Sequence, residues 1–337
     1  MTTTVKRTKR IFFAVLRTGI GIALLVYLGT SGAIDWQAMR RLFTAWHLMI
    51  PALFLLLLDA GMIAWRLKVL LAPRGFHLPL GASFRLTMIG VFFNSCLPGA
   101  TGGDLIKIYY AAEGNQGKRT EVATIILFDR ATGMFGLMFL PLLLAPFFRE
   151  MLAASAGVRT VLWAATLVSA AMVLGTLLSW WEPLARSRWL DLLFQKLPLG
   201  AYLRRVFETV HAYRANPGAV LAAVAISLAA HLMAAGVAML SALATYPQQF
   251  AWKMSVLIPI GFTVNTLPFT PGGLGVGEAA FNKLFSLAGL QGGAEALLGW
   301  RLLTILIGLM GLGFYLQGRK RFVHDVQVME AAEDAAT

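Results

Sequence analysis

The chain has 337 residues, of which 58% are hydrophobic and 13% charged, against roughly 45–50% and 25% in an ordinary soluble domain. That balance excludes a water-soluble fold and predicts a polytopic membrane protein. The net charge of +13 would suggest nucleic acid in a soluble protein, but most of the bases stand at the ends of apolar segments, where membrane orientation needs them. Nucleic acid is therefore not expected as a partner, and the single Cys96 excludes an intramolecular disulfide or a thiolate metal cluster.

Taken in chain order, MTTTVKRTKR leads into an apolar run reaching about Leu28 with no small-residue cleavage site before Asp35. It reads as a retained first span. Segments long enough to cross a bilayer lie at 11–29, 46–65, 122–146, 159–181, 218–243 and 297–317. Two further apolar regions, 81–112 and 252–290, are each interrupted near the middle by glycines and prolines. The expected fold class is an all-α polytopic membrane protein with about six full spans plus two oppositely oriented re-entrant helical hairpins forming an inverted repeat.

The basic residues set the expected orientation. Lys6, Arg7, Lys9 and Arg10 place the amino end in the cytoplasm, and Arg66, Lys68 and Arg74 mark the return of the second span to that side. Lys118 and Arg119 also belong inside, so 81–112 must enter and leave on the cytoplasmic face, with its tip at 98–103. The cluster Arg186, Arg188, Lys196, Arg204, Arg205 and Arg214 is cytoplasmic by the same rule, as is GRKR at 318–321. The segment 252–290 must then turn back from the outside. Both termini are expected in the cytoplasm, with 1–321 as one membrane domain and 322–337 as a short tail.

Between these, 186–214 is expected as an interfacial amphipathic helix. Leu203, Val206, Phe207 and Val210 recur at helical spacing while Arg204, Arg205, Glu208 and His211 take the other face.

The two interruptions share a pattern. GVFFNSCLPGATGGD at 90–104 and GFTVNTLPFTPGGLG at 261–275 each carry Gly, Asn four residues later, a Leu-Pro step and then Gly-Gly. Unpaired backbone groups cost several kcal/mol in hydrocarbon, so Pro98, Gly99, Pro268, Pro271 and Gly275 can break a helix only beside protein or a wet cavity. New helices are expected to start at about Asp104 and about Val276. Their amino ends bear partial positive charge and free N–H donors. Together with Gly102, Gly103, Gly272 and Gly273 at the tips, they favour an anion.

Lys107, Asp129, Arg130 and Arg301 are candidate ligand-binding residues because an ionisable side chain at depth costs about 2.5 kcal/mol or more to insert. Lys107 could instead snorkel to a face, and Asp129 and Arg130 could pair with other buried charges to fix packing. Asp104 and Glu278 cap the new helices, meet a cationic head group, or do both. Asn94 and Asn265 either satisfy exposed backbone or touch the ligand. His231, alone in a span, reads as a packed polar residue. No metal or cofactor is expected: the five histidines lack HExxH spacing, and neither GNQGKRT nor GGLGVG fits a nucleotide loop.

The NxxxPGxxGGD…K element, the later DR and PGGLGVGEAAF resemble the lysylphosphatidylglycerol synthase transmembrane-region family over residues 11–317. That family includes the flippase half of the bacterial multiple peptide resistance factor and hopanoid-associated membrane proteins. The resemblance implies a multi-pass bacterial inner-membrane protein that moves or binds polar-headed lipids. It carries over to Asn94, Pro98, Gly102, Gly103, Asp104, Asp129, Arg130, Pro271, Gly272, Gly273, Gly275 and Glu278. The short tail after Arg321 leaves no aminoacyl-transferase domain, so an enzyme is not expected. The expected function is a flippase or transporter of an anionic, phosphate-containing or aminoacylated lipid. The alternatives are an intramembrane enzyme on a lipid carrier and a scaffold whose partners are envelope-lipid biosynthetic enzymes.

Overall fold

The computed structural model describes residues 19–20, 22–32, 34–96, 102–112, 119–149, 155–196, 200–250, 252–267 and 269–334, and among these every regular element is helical. Ahead of the first complete helix, residues 22–30 are helical; the rest of the expected first span lies largely outside the described residues. The helices are α1 (Trp36–Thr44), α2 (Trp46–Leu71), α3 (Leu80–Cys96), α4 (Gly102–Ala112), α5 (Arg119–Leu144), α6 (Ala156–Trp180) and α7 (Glu182–Ala185). They continue as α8 (Arg188–Lys196), α9 (Gly200–Ala212), α10 (Pro217–Thr245), α11 (Met254–Asn265), α12 (Val276–Leu287) and α13 (Gly293–Asp334).

Five of the helices among the described residues, α2, α5, α6, α10 and α13, are long and apolar enough to cross a membrane. The protein is a multi-pass membrane protein. α6 shows why: Trp163, Leu167, Leu174 and Leu177 are all exposed along one helix, which is tenable only against lipid.

Caps set several boundaries. Asp35 Oδ1 accepts from the N–H groups of Gln37 at 2.8 Å and Ala38 at 3.0 Å, starting α1. The Ala38 and Gln37 donors outweigh desolvation and hold the Asp35 carboxyl below its ordinary range. The Asp35 N–H in turn donates to the buried Glu295 of α13 at 2.6 Å. Pro217 occupies the first turn of α10, where its missing N–H costs nothing.

The packing joins two sets of helices. α2 lies along α10 at the centre; α3 packs on α4 and on α13, while α11 packs on α12 and on α5. One core gathers Leu67, Leu70, Leu86, Val122 and Ile125 around the first set. Another gathers Val256, Leu257, Ile260, Phe281 and Leu297 around the second. A third, with Ala52, Leu56, Met88, Val237 and Ile307, joins them.

The expectations differ from this fold in three places. The second span does not end near residue 65: α2 continues to Leu71, which carries Arg66 inside the protein rather than to its rim. The segment expected as one helix over 186–214 contains two described helices, α8 and α9, with 197–199 outside the described residues. Within α9 Val206, Phe207 and Val210 are partly covered and Arg204, Arg205 and Glu208 exposed, as expected, whereas Leu203 is exposed and His211 partly covered. The last helix does not stop where the apolar stretch does and runs through the expected tail to Asp334.

Candidate functional site

Each of the two interrupted regions contains two helices packed against each other, α3 with α4 and α11 with α12. Pro98, Gly99 and Pro268 lie outside the described residues. The remaining candidates assemble into two constellations, one at each restart.

At the second break, Pro271–Gly273 forms a short turn; Gly272 and Gly273 within it and Gly275 just after it take φ of 61°, 70° and 78°. Only glycine adopts that region at no steric cost. α12 then starts at Val276, and Glu278 reaches back to accept from the Gly275 N–H at 2.7 Å. The fully buried Glu278 also accepts from Arg301 Nε at 2.7 Å. Arg301 donates further to the Gly272 carbonyl and to Asn265 Oδ1, each at 2.8 Å. One guanidinium on α13 therefore holds the end of α11, the turn and the start of α12. A Cβ on Gly273 or Gly277 would overlap Asn265 Oδ1, so both must be glycine for the asparagine to sit there.

At the first break, α4 begins at Gly102, two residues before the expected start at Asp104. Asn94 Oδ1 caps it by accepting from the Gly103 N–H at 3.0 Å. A Cβ on Gly103 would overlap the Gly90 carbonyl. Asp104 falls within the first turn of α4 and pairs with Arg130 of α5. Asp104 is thus in the dipole-favoured turn without being the capping residue. Lys107, one turn on, is only 8% exposed and lies against Gly90. It forms no hydrogen bond or ion pair with another described residue, and it lies within electrostatic reach of Asp129, Asp104, Arg66 and Arg130.

Asp129 faces the other way. Arg66 of α2 grips it with two N–H groups, at 2.7 Å and 3.2 Å, and donates a third to Ser227 Oγ of α10 at 2.9 Å. His231 Nε2 contacts the Gly133 carbonyl at 2.9 Å, so it is a packed polar residue tied to α5. Gly133 leaves room for Arg66, whose Nη1 lies 2.8 Å from where a Cβ would stand.

Sequence reasoning missed Arg66, Ser227, Glu295 and Asp59. Its position near a span's end makes Arg66 read as a rim residue. Asp59 interrupts LLLLDAG in the middle of α2 and could have been found by the same depth rule that singled out Arg130. No group of three or more His, Cys, Asp or Glu side chains placed to hold a metal occurs among the described residues.

The two constellations differ in exposure. Arg130, more than a third exposed, pairs with Asp104, whereas the less exposed Arg301 donates to Glu278, Gly272 and Asn265.

Comparisons with curated proteins and with solved structures give no match. The family model described as the lysylphosphatidylglycerol synthase TM region matches residues 14–311, nearly the whole chain, and the protein belongs to that family of membrane proteins involved in lipid handling.

Proposed function

We propose that the protein is a lipid flippase that passes a polar head group through the membrane at the first interrupted helix. The phosphate is taken by Lys107, Arg130 and the amino end of α4; an amine on the same head group is met by Asp104. Acyl chains stay in the bilayer. The second constellation acts as the fixed counterpart, since Arg301 binds Glu278, Asn265 and Gly272 at once. The observation that carries this reading is the buried Lys107, which forms no hydrogen bond or ion pair among the described residues, beside the Asp104–Arg130 pair at the first turns of α4. A cation so placed costs about 2.5 kcal/mol or more until an anion joins it.

In this reading α3–α4 and α11–α12 are re-entrant hairpins of an inverted repeat, entering from the cytoplasm and from the outside respectively. The membrane is the bacterial inner membrane, and both termini are cytoplasmic. Support comes from the chain itself: the same number of residues separates Gly90 from Gly261, Asn94 from Asn265, Arg130 from Arg301 and the start of α2 from the start of α10. The packing exchanges accordingly, α3 on α13 and α11 on α5. The protein acts as a carrier rather than an enzyme.

The test is leaflet exchange of fluorescent phospholipids in liposomes containing the purified protein. Arg130→Ala and Lys107→Met are each expected to slow exchange about tenfold, as loss of one charge-assisted contact in the transition state implies. Lys283→Met, at an exposed position on α12, should leave it unchanged. Wild-type exchange by both site variants across anionic, zwitterionic and aminoacylated lipids would overturn the proposal.

A further inference from the structure

Asp59 interrupts the run LLLLDAG at the middle of α2. About 20 Å of helix lies on either side of it, so the carboxyl stands near the centre of a helix long and apolar enough to cross the membrane. It does not share the lipid-facing stripe. Phe54, Leu58 and Trp65 are the exposed residues around it, whereas Asp59 falls at helical spacing with Ala52 and Arg66, both buried, and is itself partly buried.

Two contacts bracket that face against α10. Leu55 Cδ1 lies 3.3 Å from where a Cβ on Gly236 would stand, and Arg66 Nη1 donates to Ser227 Oγ at 2.9 Å. Asp59 lies between Leu55 and Arg66 along α2 and so faces the junction with α10. There it makes no hydrogen bond or ion pair with another described residue. The helices packed against α2 carry titratable groups, among them Arg85 of α3, Glu121, Asp129 and Arg130 of α5, His231 of α10 and Glu295 and Arg301 of α13, and none of these acts on it. The charge within its electrostatic reach is Arg66, and Arg66 already grips Asp129 with two N–H groups.

An ionised carboxylate at such a depth is strongly unfavourable unless it is paired, and an acid in that position marks an ion or proton path. A single carboxyl group suits a proton, whereas a metal ion takes several oxygen ligands. Arg66 also lies within electrostatic reach of Lys107. An anion drawn to Lys107 therefore offsets the positive charge that acts on Asp59, which favours a proton on Asp59. By linkage, that proton tightens the anion by the same factor.

We propose that Asp59 is a proton-binding site and that each anionic head group crosses the membrane together with one proton held there. The Asp59 carboxylate takes the proton from water on the side where the lipid enters and returns it to water on the other, with no other bond made or broken. The anion and the proton together move no net charge through the bilayer. The coupling rests on the lipid movement proposed above; the proton site does not.

The experiment uses the full-length protein in liposomes with fluorescent phosphatidylglycerol, in sodium-free buffer and under an imposed pH difference. One-to-one coupling sets a limit of about tenfold enrichment of the lipid in the leaflet facing the alkaline side for each pH unit. Wild type is expected to approach that limit, Asp59→Asn to lose the enrichment, and Asp59→Glu, which keeps a carboxyl, to restore it. A second measurement needs no transport. In an ester-free detergent at neutral pH, where a solvated aspartate is ionised, the infrared carboxylic-acid C=O band of wild type should exceed that of Asp59→Asn. Lipid that moves but stays evenly distributed in wild type would overturn the coupling, and equal infrared bands in the two proteins would overturn the proton site. A wild type that moves no lipid yet shows the expected band difference would refute the flippase and with it the coupling, and would leave the proton site standing.

Discussion

Arg66→Ala is expected to destabilise the protein by about 3–5 kcal/mol, because removing one partner of a buried ion pair strands the other. Arg66 and Asp129 are both buried, and the guanidinium joins α2, α5 and α10 through Asp129 and Ser227. Alanine would leave the Asp129 carboxylate without its partner and open a void beside Gly133. The double variant Arg66→Met/Asp129→Leu should recover most of the loss, since replacing a whole buried pair by apolar groups of similar size is often close to neutral. Thermal unfolding of the detergent-solubilised protein checks both. A single variant within about 0.5 kcal/mol of wild type, the range of ordinary surface changes, would show that the pair does not hold these helices.

The second large effect is a reversal of sign. Alanine in place of a helical glycine ordinarily stabilises by about 1 kcal/mol. At Gly277 the added Cβ would overlap Asn265 Oδ1 and stand 2.8 Å from Leu297 Cδ2. Gly277→Ala is therefore expected to cost about 1–3 kcal/mol, the usual range for overpacking, and to free Arg301 Nη2 from Asn265. Gly175→Ala in α6 is the control. Nothing lies within 4 Å of its Cβ position, so it should gain up to about 1 kcal/mol. Equal stabilisation of both variants in the same unfolding assay would contradict the close approach of α12 to Asn265.

These residues also show what the sequence makes legible. Apolar length finds the spans, because hydrocarbon thickness imposes it on every crossing helix. Glycine and proline mark the two breaks, and the restart near Val276 follows from PGGLGVGE, since positive φ and a reaching Glu278 are local devices. The charged partners are another matter. Arg66 and Asp129 stand 63 residues apart, and Asp104 and Arg130 stand 26 apart. Pairing over such separations depends on how helices pack, which periodicity does not specify. Orientation rules made Arg66 a rim residue because they read a base by its position along the chain. The extra turn of α2 that buries it is set by tertiary contacts. A helix boundary read from Gly-Gly-Asp likewise does not show that Asn94, on the preceding helix, caps a helix that starts two residues before Asp104.

The interfacial unit divides in the same way. The alternation of Val206, Phe207 and Val210 with arginines is local and survives in α9, though Leu203 is exposed. Its place beside α6 depends on Trp180 and His211 anchoring α9 to the end of that helix. That is a contact between segments, and nothing in the pattern of either one announces it.

The proposed mechanism rests on two broken helices that enter from opposite faces. Sided labelling of single cysteines tests this most directly. With Cys96 replaced by serine, Gln116→Cys and Gln291→Cys are introduced one at a time and exposed to a membrane-impermeant maleimide in right-side-out and inverted vesicles. The account predicts that position 116 reacts only from the cytoplasmic side and position 291 only from the outside. Reaction of position 116 from the outside, or of position 291 from the cytoplasm, would contradict it.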